Sequence, residues 1–270
     1  MKIEKNNNGM IIAMSCTENW YHYLVVDLYS MLECTKNIRK IYLLIETENI
    51  NDVPYLKNIV EKYNVEFVLI NLNKHLNSYL EKHGPNLNTV YSNFCFARLM
   101  LPDFVKEDKV LYIDTDAIVR KDISNIWMYD ISDYYLAGVK DYGIYADDTL
   151  ERMNITGKYV NSGFVIFNLK KIREDDIEKQ WFDVINNQFL VYPDQDAMNA
   201  VCQHKELYIP SMYNSCQSDD IRVTKEIINK DLIKVYHYTG PKDFWLADRF
   251  YCEEWYDSEE MFYKEIVNNI

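Results

Sequence analysis

The sequence predicts a single α/β domain built on a mixed, mostly parallel central sheet, and three observations carry that prediction. Short apolar runs alternate with longer amphipathic stretches through the first 120 residues, the pattern left by strands joined through crossover helices. At 270 residues and 48% hydrophobic, the chain can bury one large core. No linker, repeat or low-complexity tract divides it.

In chain order, apolar runs predict strands over Met10 to Cys16, Lys40 to Glu46, Val65 to Asn71 and Lys109 to Ile113. Helical spacing predicts helices over Trp20 to Glu33, Val53 to Tyr63 and Thr89 to Leu101, the last stopped by Pro102. Leu136 to Lys140 and Tyr159 to Leu169 read as further strands, the second too long and apolar for a loop. A helix from Lys170 to about Gln188 follows. Beyond Pro193 the pattern shortens: a helix over Asp194 to Gln203, a strand near Leu207 and another over Leu232 to His237. The aromatic, acidic stretch from Trp245 to Phe262 reads as an amphipathic helix docked on the body. Residues 1–120 and 121–246 are expected to form two halves of this domain, and 247–270 a packed helical tail.

A net charge of −13 argues against nucleic acid as a partner, because that work needs a basic stripe and counterion release. An anionic ligand would need a metal and local cations to reverse the sign of the surface. Six scattered cysteines form no C-x-x-C, so they read as reduced thiols. With no apolar h-region at the start and no run long enough to span a membrane, the expected compartment is the cytosol. The absence of G-x-G-x-x-G and G-K-[ST] lowers the case for a dinucleotide or P-loop site.

Asp114-Thr115-Asp116 leaves the end of the apolar run from Lys109, where ligands of open α/β sheets gather. Carboxylates one residue apart can grip a hard or borderline cation. The motif alone is weak: with 23 Asp in the chain, about two D-x-D triplets are expected by chance, and Asp194-Gln195-Asp196 is the second. The bland alternative is a solvated strand end.

Its companions add weight. Ala97-Arg98-Leu99, Asp114-Thr115-Asp116, Asn161-Ser162-Gly163 running on to Asn168, Asp194-Gln195-Asp196 running on to Asn199, and His237-Tyr238-Thr239-Gly240 running on to Trp245 occur in that order. The series, from about residue 10 to 246, resembles glycosyltransferase family 8, the group of glycogenin and the bacterial lipopolysaccharide galactosyl- and glucosyltransferases. The resemblance implies the GT-A fold, a UDP-glucose or UDP-galactose donor, a carbohydrate or glycoconjugate acceptor, Mn²⁺ with Mg²⁺ as a substitute, and retention at the anomeric carbon. It assigns Asp114, Asp116 and His237 to the metal. Arg98, Thr115, Asn161, Ser162, Gly240 and Lys242 go to the donor, together with Thr17 and Asn19 at the nucleoside end. Gln195, Asp194 and Asp196 are placed beside the anomeric carbon as catalytic candidates. Gln195 is a poor nucleophile, better suited to holding the sugar, and one or both of the flanking acids can equally cap the helix they open.

Two departures from the family pattern stand out. Lys242 lies five residues after His237 where the usual H-x-x-G-x-x-K-P-W has six, and Phe244 replaces the proline. The tail is acidic where several bacterial relatives are basic, so contact with an anionic membrane is not indicated. Two alternatives are a sugar-nucleotide-binding member without turnover, suggested by the shifted Lys242, and a haloacid-dehalogenase-like phosphatase. The second is disfavoured by Ile118 at the last motif position and by three strands ahead of the motif.

Overall fold

Residues alternating in side-chain direction along each central strand are apolar on both sides, so the strands must be covered on both faces. In the computed structural model, which describes residues 9–82, 84–87, 91–142, 148–216, 229–239 and 252–268, this is what happens. Met10, Ile12 and Met14 of β1 (Met10–Ser15) point into one core, and Ile11 and Ala13 into the other. The strands β4 (Lys109–Ile113) and β7 (Val160–Asn168) divide their residues in the same way.

The main sheet has seven strands in the order β3-β2-β1-β4-β7-β6-β8, with β2 at Ile38–Ile45, β3 at Glu66–Asn71, β6 at Leu136–Lys140 and β8 at Glu206–Tyr208. All neighbours run parallel except at β7, which is antiparallel to both β4 and β6. The order turns back at β1, and sequence and space diverge between β1 and β4. This is the switch point at which α/β folds place ligands.

Helices α1 (Tyr21–Cys34) and α2 (Leu56–Tyr63) cover one face. The other face is covered by α4 (Leu101–Phe104), α6 (Leu169–Glu174), α7 (Ile177–Asn187) and α8 (Pro193–Val201). Two single-turn helices, α3 (Leu76–Tyr79) and α5 (Thr149–Arg152), lie in connections. The C-terminal helix α9 (Cys252–Phe262) packs on α1 with Trp255 and Phe262 buried.

Several expectations are corrected. In place of a helix to Leu101, Asn93–Leu99 forms 3₁₀ turns, and Pro102 does not stop a helix but sits in the first turn of α4, where its missing N–H costs nothing. The long helix after β7 is broken at Asp176, whose backbone is left-handed (φ 51°), into α6 and α7. The last strand begins at Val235, because Lys230–Leu232 form a 3₁₀ turn capped by Asn229. A second, three-stranded sheet was not anticipated: β5 (Ala117–Val119), β10 (Val235–His237) and β9 (Ser215–Cys216), in the order β5-β10-β9. Only β10 was foreseen as a strand; β5 and β9 are too short to leave a period in the sequence.

Candidate active site

The site forms where β4 ends beside β7. Antiparallel pairing carries Ile113 opposite Phe164, so the next residue, Asp114, donates its backbone N–H to the Gly163 carbonyl at 2.9 Å. Asp116 lies at the mouth of β5. The small sheet then brings in the third member: His237 pairs with Ala117, and Tyr238 N–H donates to the Asp116 carbonyl at 2.8 Å. Nε2 of His237 lies 3.2 Å from Oδ1 of Asp116 and 3.7 Å from Oδ2 of Asp114. One ligand atom from each of the three falls within 4.8 Å of the others. Space for this is made by a missing side chain, since a Cβ on Gly163 would meet Cε1 of His237 at 2.1 Å and Oδ2 of Asp114 at 2.7 Å.

Arg98 is buried at the floor. It forks onto Asp114 with contacts of 2.7 and 3.2 Å, donates to the Ser162 carbonyl at 2.6 Å, and pairs with Asp194 at 3.1 Å. Its guanidinium stacks on Tyr112, 4.5 Å from the ring centre, and the Tyr112 hydroxyl donates to Asp114 at 3.0 Å. Burial opposes the charge on Arg98, but Asp114 and Asp194 outweigh it and keep the guanidinium protonated. For Asp114, burial pushes the carboxyl up and Asp116 adds to this, with Arg98 pulling the other way. Burial would lower the His237 imidazole, yet the charge of Asp116 raises it well above the usual histidine range.

The donor set fits a divalent cation. Two carboxylates and an imidazole converge on one space, which suits Mn²⁺ and other borderline ions better than Mg²⁺. Asp27, on α1, is fully buried, and burial followed by the charge of Asp116 pushes its carboxyl well above the usual carboxylate range, so it keeps its proton and adds no charge to the site.

Beside the triad is a hydrogen-bonded polar cluster. Gln195 accepts from Ser162 N–H at 2.9 Å through Oε1 and donates to Asp141 at 3.1 Å through Nε2. Asn161 donates to the same Asp141 oxygen at 3.1 Å. Asp194 is 6% exposed and paired with Arg98, whereas Asp196 is wholly buried and engaged elsewhere. It accepts from the backbone N–H groups of Val191 and Tyr192, each at 3.0 Å, and from the Tyr159 hydroxyl. The N-cap of α8 is Tyr192, so neither acid is the N-cap expected from the sequence; Asp196, from inside the first turn, ties back the two backbone N–H groups ahead of the helix.

Thr17 and the exposed Asn19, which the resemblance assigns to the nucleoside, lie in the turn after β1. Glu46, at the end of β2, holds that turn by accepting from Glu18 N–H at 2.6 Å and from Asn73 at 3.2 Å. Thr115 is buried between the two acids. Gly240 and Lys242 lie outside the described residues.

Four contributors escaped sequence reading: Asp141, Asn214, Tyr112 and Glu46. Asp141 was findable, because it is the first residue after a strand that the pattern predicts, the position that made Asp114 conspicuous. Asn214 precedes a two-residue strand and had no signal.

A mostly parallel sheet with acidic residues at its switch point defines the class, a GT-A glycosyltransferase. Solved structures agree on the fold. The galactosyltransferase LgtC, in complex with donor and acceptor sugar analogues, superposes with a TM-score of 0.76 at 22% identity, covering 93% of this chain and 96% of that one. The WbbM bifunctional glycosyltransferase gives 0.79 at 18% identity, covering 99% of this chain, which spans 52% of WbbM. The sequence profile of glycosyl transferase family 8 matches residues 11–249, and the chain belongs to that family. Among relatives, it is 27% identical over 245 residues to a putative glycosyltransferase of Haemophilus influenzae, covering 87% of this chain and 73% of that protein. It is 27% identical over 150 residues to lipopolysaccharide 1,2-glucosyltransferase of Escherichia coli K12, covering 51% and 48%. Family membership removes the phosphatase alternative.

Proposed function

We propose that the protein is a Mn²⁺-dependent, retaining hexosyltransferase that moves glucose or galactose from a UDP ester to a hydroxyl of a carbohydrate or glycoconjugate. The convergence of Asp114, Asp116 and His237 within 4.8 Å, beside Arg98 and Gln195, carries this reading. The glucosyl- and galactosyltransferases among its relatives and structural neighbours support the donor class.

The triad would hold Mn²⁺, with Mg²⁺ as a weaker substitute; a bound ion there supplies Lewis acidity against the charge that grows on the departing diphosphate. Arg98 adds a fixed positive charge on the same side, already desolvated and held by Asp114 and Asp194. In this reading Thr17 and Asn19 take the nucleoside, and Thr115 and Ser162 contact the rest of the donor. Gln195 and Asn161 are held rigidly against Asp141 and so present a pre-formed polar wall to the hexose. Gln195 is an amide, Asp194 is neutralised by Arg98 and Asp196 is sealed behind Tyr159. This supports a front-face course, in which the leaving diphosphate takes the acceptor's proton, over attack by a protein nucleophile.

Calorimetric titration of UDP with Mn²⁺, Mg²⁺ or EDTA tests the proposal. Binding should require the metal, be tighter with Mn²⁺, and disappear in Asp116→Ala and His237→Ala; hydrolysis of UDP-glucose and UDP-galactose then identifies the donor. Absence of UDP binding under every metal would sink the proposal.

A further inference from the structure

His237 can ligate a metal through Nε2 only if that nitrogen presents a lone pair, and in a neutral imidazole this requires the proton on Nδ1. Which nitrogen carries it is decided by the partner on the other side of the ring. That partner is Asn214, fully buried, with Oδ1 at 2.8 Å from Nδ1 of His237. An asparagine can offer either an acceptor or a donor, so its amide must itself be held in one direction.

The chain of contacts leaves no freedom. Gly163 N–H, a backbone group, can only donate, and it donates to Oδ1 of Asn161 at 3.0 Å. Oδ1 of Asn161 is therefore an acceptor, and the Asn214 nitrogen donates to it at 2.9 Å. With its NH₂ committed there, Asn214 must turn Oδ1 to His237, which keeps a proton on Nδ1, so that when the ring is neutral the lone pair is on Nε2, facing Asp114 and Asp116. The Cys216 thiol, 3.7 Å from Oδ1 of Asn214 and 3.6 Å from Nδ1, is consistent with this assignment, donating to the first and accepting from the second. At the other end, Ser162 N–H fixes Oε1 of Gln195 as an acceptor at 2.9 Å, so that Nε2 of Gln195 and Nδ2 of Asn161 both donate to Asp141 at 3.1 Å.

We propose that Asn214 is a positioning residue that sets the tautomer of His237, and that Asn161 sets the direction of the Asn214 amide from the Gly163 backbone. The metal end and the sugar end of the site are then one hydrogen-bonded unit. A residue facing the sugar, Asn161, controls a metal ligand that it does not touch. This rests on the transferase reading above.

The test measures Mn²⁺ affinity from the spectrum of free ion, and affinity for UDP and for UDP-glucose or UDP-galactose at saturating Mn²⁺. Asn214→Ala should weaken Mn²⁺ about 10- to 100-fold, the usual cost of losing a ligand's outer partner. Asn214→Asp keeps the acceptor facing Nδ1 but opposes Oδ1 of Asn161 with a second oxygen. It should restore Mn²⁺ binding to within about threefold of wild type while weakening the sugar nucleotide relative to UDP about tenfold. Asn161→Ala frees the Asn214 amide to rotate, and should weaken Mn²⁺ alone by about threefold or more; it reports on the link even if Asn214→Ala does not fold. Wild-type Mn²⁺ affinity in folded Asn214→Ala or in Asn161→Ala would overturn the inference with the transferase reading intact. A wild-type protein that binds neither Mn²⁺ nor UDP would overturn both.

Discussion

A methyl group on Gly163 would fall 2.1 Å from Cε1 of His237 and 2.7 Å from Oδ2 of Asp114, so the side chains of the triad itself would have to give way. Gly163→Ala is therefore expected to push the imidazole off the acids. Mn²⁺ affinity should drop by about 100-fold or more, at the upper end of what a misplaced ligand costs, with the circular dichroism of the fold unchanged. Isothermal calorimetry of Mn²⁺ decides this, and tight binding by the variant would mean that the ion does not use His237. At the same scale, Arg98 shows why one residue can have several partners without redundancy: its planar fork reaches Asp114, Asp194 and the Ser162 carbonyl together. The point charge of a lysine could not do so.

The helices on the face opposite α1 carry a different device. Glu178, in the first turn of α7, has one buried oxygen without a hydrogen-bond partner, and burial, reinforced by the charge of Asp103, pushes its carboxyl up to about 8. An acid raised in the folded state holds its proton longer than in the unfolded chain. Between about pH 4.5 and 8 the folded protein binds more protons, so this group's contribution to stability declines as pH rises and levels off above 8. Melting temperatures of wild type and Glu178→Gln across that window should diverge, the variant lacking this component of the alkaline loss. Parallel curves would show that Glu178 ionises freely.

Across the whole molecule, the C-terminal helix α9 is held to the body by two kinds of contact that can be ranked. Ion pairs run from His22 to Glu259 at 2.6 Å, from Arg120 to Glu254 at 2.9 Å, and from Lys62 to Glu265, just past α9, at 2.6 Å. Each is partly exposed, and such pairs contribute about 0–1 kcal/mol. Trp255 is 1% exposed and packs edge-on against Tyr238, the residue that follows β10. Urea unfolding should show Trp255→Ala destabilised by about 3–5 kcal/mol, and Arg120→Ala by about 1 kcal/mol or less. Equal losses would place the helix under electrostatic control. Because Tyr238 follows His237, loosening α9 should also weaken Mn²⁺ binding in Trp255→Ala.

The central strands, α1, α2 and the acid pair at the end of β4 were legible because they rest on local physics: alternating apolar residues, helical spacing, and carboxylates where strands end. The order of Arg98, Asn161, Gln195 and His237 along the chain was enough for a family resemblance, which the profile match bears out. What remained hidden was non-local. Antiparallel β7 places Gly163 against Asp114, and the three-stranded sheet brings His237 to Asp116 across more than a hundred residues, by pairings too short to leave a period. The break at Asp176 and the fate of Pro102 depend on packing against α4 and its neighbours, which propensity does not see. Sequence alone therefore determined the central strands and the triad with Arg98, Asn161 and Gln195, but not Asp141, Asn214, Tyr112 or Glu46. Tertiary structure alone decided which oxygens are free, which are committed, and which nitrogen of His237 faces the two acids, because each of those depends on a hydrogen-bond partner from a distant part of the chain.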